Sequence, residues 1–210
     1  MSNPDPRQTL VSEPAELRSM ARLADMLWQN GEYANALNAL HRLAIFTPDH
    51  RRVLEMTADT LLKLGRLEDA TNAARRGLLS SPSSASLSRT LGAALFENQR
   101  RVEAEIWLAR ATALAPQVGA LRLSHVSVLF ALARLEEAET KCRALILDGH
   151  DGPDARFWLG RVLWSLSRHD EAGRHLDQAL AGQPNLARDI EFVRLSITPD
   201  DFAGLASPHS

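Results

Sequence analysis

Residues 17–50 read LRSMARLADMLWQNGEYANALNALHRLAIFTPDH, and residues 51–84 read RRVLEMTADTLLKLGRLEDATNAARRGLLSSPSS. Laid one above the other they align without a gap, and three further rows of 34 residues, 85–118, 119–152 and 153–186, continue the register. A leucine column runs Leu27, Leu61, Leu95, Leu129 and Leu163, and nine residues on an alanine column runs Ala36, Ala70, Ala104, Ala138 and Ala172. A third column holds Pro48, Pro82, Pro116 and Pro184, with His150 in the fourth row. A fixed period of this length marks a tandem array of one supersecondary unit, whose copies bury a continuous core by stacking.

Within a row, apolar residues recur at helical spacing: Leu23, Ala24 and Leu27 in the first row, Leu159, Gly160 and Leu163 in the fifth. A short break follows at Gly31-Glu32, Gly65-Arg66, Gln99-Arg100, Ala133-Arg134 and Ser167-Arg168, and then a second periodic run begins, such as Ala36, Leu40 and Leu43. Each row therefore predicts a hairpin of two antiparallel helices. Alanine supplies a residue without bulk where the helices cross. Proline ends the second helix, because it lacks an amide donor and drives its predecessor out of helical geometry. Strand patterns are absent, so the predicted fold is all-α. After the fifth row, Ile190, Val193 and Ile197 at i, i+3 and i+7 predict a capping helix over 187–198, stopped by Thr198-Pro199. The last repeat of an array needs such cover for its apolar flank. Residues 1–16 and 199–210, rich in Pro, Ser and Asp and without periodicity, are predicted as flexible arms.

This pattern resembles the tetratricopeptide repeat (TPR) family, whose 34-residue motif has small residues at its eighth and twentieth places and proline at its thirty-second. Rows one, two and five match best, with Ala24, Gly31, Tyr33, Ala36 and Pro48 in the first, Ala58, Gly65, Leu67, Ala70 and Pro82 in the second, and Gly160, Ala172 and Pro184 in the fifth. Departures are Met20, Leu54, Ser88, Arg122 and Arg156 where the family often has tryptophan, and Leu-Asp-Gly-His-Asp-Gly at 147–152 in place of a proline turn. The resemblance, spanning 17–186, implies a right-handed α-solenoid of five hairpins plus a C-terminal cap. It also implies a concave groove lined by the first helix of each pair.

Composition narrows the function classes. With 24 basic and 26 acidic residues the net charge is −2, so no strong field recruits nucleic acid or anionic lipid. A single cysteine, Cys142, excludes an intramolecular disulfide and a Cys-rich zinc site, and the seven histidines show no metal-ligand spacing; no metal and no cofactor are expected. The opening Met-Ser-Asn-Pro-Asp-Pro-Arg-Gln does not read as a targeting segment, and no apolar run approaches the ~18 residues of a membrane span. A cytoplasmic protein is expected. Only Lys63 and Lys141 are lysine among the 24 basic residues, an arginine bias that, with abundant alanine, suggests a GC-rich bacterial genome.

By the family's geometry the second, fifth, sixth, ninth and twelfth places face the groove. The twelfth place gives Trp28, Leu62, Phe96, Phe130 and Trp164, one bulky apolar side chain per repeat, joined in the later rows by Leu123, Phe157 and Trp158, with Arg161 among them. An apolar surface that large points to a ligand, although part of each ring at this place can pack on the next helix. The earlier rows instead place Arg18, Asp25, Arg52, Glu55 and Asp59 there, with Lys63 alongside, a mixed charged half. Asp25 and Asp59 occupy one place in successive repeats, as a carboxylate pair for acid/base chemistry would. No nucleophile with a base, phosphate-binding glycine loop or H-E-x-x-H motif accompanies them, so they read as solvated charges and no catalytic residue is expected. The lysine, asparagine and arginine clamp with which some family members grip a chaperone's terminal carboxylates is missing: Ala21, Asp25, Met56, Ser86 and Thr90 stand at its places.

The resulting expectation is a non-enzymatic protein-binding scaffold or chaperone-like adaptor. Its groove captures an apolar or amphipathic peptide segment, and by resemblance its setting is bacterial secretion or envelope assembly. The alternative is a regulatory or accessory subunit that docks a folded partner.

Overall fold

A computed structural model of the chain describes residues 15–195. Its helices run α1 (Ala15–Gln29), α2 (Tyr33–Phe46), α3 (Arg51–Lys63), α4 (Leu67–Ser80), α5 (Ala85–Glu97), α6 (Arg101–Leu114), α7 (Gly119–Ala131), α8 (Leu135–Leu147), α9 (Pro153–Ser165) and α10 (His169–Gly182). A 3-10 turn, Pro184–Leu186, then leads into α11 (Ala187–Leu195). No strand occurs among the described residues. Helix α1 starts at Ala15, inside the stretch read as an arm, with Glu16 in its first turn where an acidic side chain favours the helix dipole. The rest of the predicted N-terminal arm, Ile197 of the predicted cap and the tail after Pro199 lie outside the described residues.

The five first helices end alike. At each, the amide three residues past the helix reaches back to the leucine column: Glu32 to Leu27, Arg66 to Leu61, Arg100 to Leu95, Arg134 to Leu129 and Arg168 to Leu163, at 2.9–3.0 Å. The preceding amide donates to the twelfth-place carbonyl, that of Trp28, Leu62, Phe96, Phe130 or Trp164. This Schellman closure needs a left-handed residue between helix and return. Gly31 and Gly65 supply it at φ of 78° and 70°, but the equivalent residues Gln99, Ala133 and Ser167 also hold φ of 62°, 57° and 61°. The same device ends α8: Gly149 has φ 89°, and the His150 amide donates to Leu145 at 3.1 Å. That explains how the fourth row stops its second helix without a proline.

Packing inside each hairpin follows from volume. The alanine column is fully buried. Across it, the eighth place faces the twenty-fourth: a Cβ added to Gly92 would stand 2.7 Å from Leu108 Cγ, and one added to Gly160 would stand 2.7 Å from Leu176 Cγ. Where the fourth row puts the larger Val126 at the eighth place, the twenty-fourth is the smaller Cys142, and both are fully buried in one cluster. The fourth row thus fills with Val126 and Cys142 the space that the third and fifth fill with glycine and leucine, as close-packed interiors require.

The described residues divide into two compact units, one through Leu114 and one from Ala115. In the first, Ala24, Leu40, Leu43 and Val53 form one core cluster, and Leu87, Leu91 and Leu95 are fully buried. Leu27, alone in the leucine column, stays half-buried. In the second, Val126, Leu129, Leu159, Val162 and Leu163 form the larger cluster. Leu176, Ala179, Leu186, Ile190 and Val193 form the other, which closes α11 onto α10.

Candidate functional site

In the first unit, Asp25, Arg52, Glu55 and Asp59, four of the charged side chains expected to face a groove, are each tied to a neighbouring side chain. Arg52 donates to both carboxylate oxygens of Asp25, at 2.9 and 2.8 Å. Arg89 donates to Asp59 at 2.6 Å. Glu55 accepts from Arg51 at 2.8 Å and from the Ser84 hydroxyl at 2.6 Å, and the same Ser84 oxygen caps α5 by accepting from the Leu87 amide. The pattern is orderly: an acid at the ninth place of one repeat meets an arginine on the first helix of the next. Asp25 and Asp59 are therefore each ion-paired to an arginine and not coupled to one another as an acid/base dyad. Arg18 and Lys63 lie on the exposed surface.

Trp28 meets Tyr33 edge-on at 6.1 Å and Phe96 is half-buried, but Leu62 is only 9% exposed and joins the core. The expectation that Leu62 lines a groove is corrected. A leucine at this place ends within the helix packing, whereas the longer indole and phenyl groups of the equivalent residues extend past it.

The second unit carries the aromatic group. Phe130 on α7 and Phe157, Trp158 and Trp164 on α9 are all half-buried, as is Leu123. Phe130 and Phe157 each meet Trp158 edge-on, with ring centroids 6.0 and 6.1 Å apart. Part of each ring belongs to the core: Phe130 and Trp158 pack against the larger cluster, Phe157 against the cap cluster, and Trp164 against both. Trp164 also meets the His169 ring at 4.5 Å.

Arg161 lies over these rings. Its guanidinium carbon stands 4.5 Å from the Phe130 centroid and 5.1 Å from the Trp158 centroid, within cation–π range of both. Burial lowers its pKa from the ordinary arginine value, opposed by the charge of Asp189. Asp189, Phe192 and Val193 of α11 form the facing wall of two adjoining clefts that share Arg161, of about 380 and 200 Å³. The larger reaches the lower end of small-molecule sites and the smaller falls short of it, so the pair suits side chains of a polypeptide better than a drug-sized ligand. Asp189 and Phe192 were not foreseen from sequence. The available signal was their i, i+3 spacing beside the apolar Ile190 and Val193.

Among the described residues no group of three or more His, Cys, Asp or Glu is placed to hold a metal ion, and no helix is long and apolar enough to cross a membrane. Cys142 is fully buried, and burial pushes its thiol up to about 12, so it is packing and not a nucleophile at neutral pH.

Comparison with known proteins agrees with this architecture. TTC0263, a thermophilic TPR protein of Thermus thermophilus, superposes with a TM-score of 0.71 at 25% identity, covering 86% of this chain and 100% of that one. YrrB, a TPR protein with an unusual peptide-binding site, matches with a TM-score of 0.65 at 18% identity over 84% of this chain and 91% of its own. PilF of Pseudomonas aeruginosa matches with a TM-score of 0.71 at 17% identity over 79% and 76%. No curated protein matches the sequence significantly. The fold class is the all-α TPR solenoid, whose members generally act as non-catalytic protein-interaction scaffolds. The tetratricopeptide repeat model matches residues 55–118 and 123–187, and on that match, over more than half of its length, the chain belongs to the tetratricopeptide repeat family.

Proposed function

We propose that the chain captures an apolar or amphipathic peptide segment on the face formed by α7, α9 and α11. The observation that carries this reading is the group of half-buried rings Phe130, Phe157, Trp158 and Trp164, set against open clefts whose far wall is Phe192 and Val193. Aromatic side chains held by a core on one side and facing solvent on the other are pre-organised, so little side-chain freedom is lost on binding. YrrB, which bears a peptide-binding site, shares the fold. The ion-paired charges of the first unit leave less for a charged docking surface to use, which favours peptide capture over an accessory subunit that docks a folded partner electrostatically. Protein rather than nucleic acid is the partner we infer, with Arg51, Arg52, Arg75 and Arg100 already facing carboxylates. The setting we propose is the bacterial cytoplasm, in service of secretion or envelope assembly, as a chaperone-like adaptor and not an enzyme.

The test is selection of peptides from a random library against the full chain, followed by hydrogen-exchange mapping of the best binder. Enrichment of apolar and aromatic residues with protection on α7, α9 and α11 is expected. Protection confined to other helices would contradict the reading.

A further inference from the structure

We propose that Arg161 is the anchor for a carboxylate, so that the segment this face takes from a partner protein carries Asp or Glu beside an aromatic residue. The inference rests on the peptide-capture reading and adds the chemistry of the ligand.

The repeat itself supplies the argument. Residue 161 is the ninth place of the fifth row, the place held by Asp25 and Asp59 in the first two rows. There the charge is closed by an arginine of the following repeat at hydrogen-bonding distance. Here the sign is reversed and the following element is the cap. Its Asp189 acts on Arg161 through space, partly opposing the lowering of its pKa by burial, but forms no ion pair with it among the described residues. Of the other arginines of this unit, Arg122 pairs with Asp148, Arg143 with Glu139 and Glu171, Arg156 with Asp151, Arg168 with Glu139 and Glu171, and Arg194 with Asp177, while Arg174 and Arg188, which have no ion pair among the described residues, are exposed to water. Arg161 is half-buried, and its contacts are with ring faces.

Rings satisfy the cation's face but not its edge. A guanidinium has five N–H donors in its plane, and stacking against aromatic groups leaves that plane free to make a forked pair with a carboxylate. Partial desolvation strengthens such a pair relative to one in open water. Two clefts meet at Arg161: one is walled by Phe157, Phe192, Val193 and the Asp189 carboxylate, the other by Phe130, Trp164, Phe192 and Val193 with Ser165 and no acidic group. A carboxylate at the guanidinium on the side away from Asp189, with an adjacent ring in the cleft of Phe130 and Trp164, therefore matches the site in charge and in shape. The sequence outside the described residues contains one segment of this chemistry, Asp200-Asp201-Phe202, which makes this chain's own tail the competing occupant.

The experiment titrates the full chain with two capped peptides, acetyl-Gly-Glu-Glu-Phe-Gly-amide and its Gln-Gln counterpart, following the side-chain Nε–H resonance of Arg161 and the affinity. The acidic peptide should shift that resonance and bind about tenfold tighter than the amide version. Arg161→Gln should erase the difference, and Arg161→Lys, which keeps the charge but loses the planar fork, should restore only part of it. Unchanged melting of either variant shows that the fold is kept. Equal binding of both peptides by the wild type, or wild-type affinity for the acidic peptide in Arg161→Gln, overturns the carboxylate anchor. If that peptide still loses affinity in Phe157→Ala, the capture reading stands without it. No binding of the acidic peptide at millimolar concentration overturns the anchor as well. An affinity that rises several-fold in Asp200→Asn/Asp201→Asn assigns the site to the chain's own tail and overturns the partner segment.

Discussion

Ala133 holds a left-handed backbone angle of 57° where the first two repeats have glycine, and so do Gln99 and Ser167. A side chain at positive φ brings Cβ against the following carbonyl at a cost of roughly 1–2 kcal/mol, which glycine avoids but offsets in part by its freer unfolded state. Ala133→Gly should therefore raise unfolding free energy by about 0.5–1 kcal/mol, read as a higher urea midpoint at unchanged slope. Gly65→Ala, at φ 70° with no neighbour within 4 Å of the added carbon, should lower it by a similar amount through the backbone alone. An Ala133→Gly variant less stable than wild type would refute this account of the helix ends. Gly160 poses the opposite problem, because its angle is ordinary and its space is taken by Leu176. Gly160→Ala should cost about 1–3 kcal/mol, and the same change made in a Leu176→Ala background should cost less, a coupling measurable in a double-mutant cycle. Additive losses would mean that the two places do not share one volume. Both residues show what the sequence discloses and what it hides. The eighth place reads as small in any alignment of the rows, but that Val126 and Cys142 exchange volume with each other becomes visible only when the helices are seen to cross there.

Between elements, helix α10 meets α9 through a histidine that prefers to stay neutral. Arg156 lies 3.1 Å from His175 Nδ1 and donates to it, and burial, then the charge of Arg156, lower the His175 pKa below its usual value, with Arg143 and Arg174 acting in the same sense and Glu171 opposing them. A histidine with a depressed folded pKa takes up its proton more readily in the unfolded chain, so stability should fall as pH drops through about 6.5. The carboxylates behave differently. Hydrogen bonds from Arg156 to Asp151 and from Arg143 and Arg168 to Glu171 lower both pKa values, so their contribution is intact above the usual carboxylate range near 4 and is lost as pH falls through their folded values. Chemical denaturation between pH 7.5 and 3 should thus show two declines, and His175→Gln should remove the upper one. An unchanged slope between pH 7 and 5.5 in that variant would contradict the assignment. The cap is the other element with a defined cost. Deleting residues from 187 onward removes Ile190 and Val193 from the cluster with Leu176, Ala179 and Leu186 and uncovers Phe157 and Trp164. The truncated protein should melt lower and self-associate, as nearest-neighbour energetics of repeat arrays imply. A monomer with unchanged melting would show that α11 covers nothing.

On the scale of the whole chain, the repeat period made the hairpins and the buried columns legible, since the alanine column, and every residue of the leucine column except Leu27, are buried where it put them. Which charges pair, and which rings stay half-buried, was not legible. Those depend on the side chain that the next element presents: Arg89 closes Asp59, whereas the cap brings Asp189 and Phe192 towards Arg161 without closing it. Leu62 and Phe130 hold the same place in the period yet differ in burial, because side-chain length decides how far each extends beyond the helix packing. The two halves of the predicted groove accordingly differ in kind, one holding its charges in ion pairs and the other carrying half-buried rings. That contrast is the central claim, and residues one position apart on a helix test it. Leu129 and Leu163 are fully buried, so cutting either to alanine should cost about 2–5 kcal/mol of stability while the folded fraction keeps its affinity for a selected peptide. Phe157 and Trp164 lie seven residues apart on α9, about 10 Å along one face, within reach of a single bound segment. The most direct measurement is peptide affinity per folded molecule for Phe130→Ala and Trp164→Ala beside Leu129→Ala and Leu163→Ala. The account predicts a loss of roughly thirty-fold for the two ring variants and none for the two leucine variants. Full affinity in the folded ring variants would contradict it and return the aromatic residues to the core.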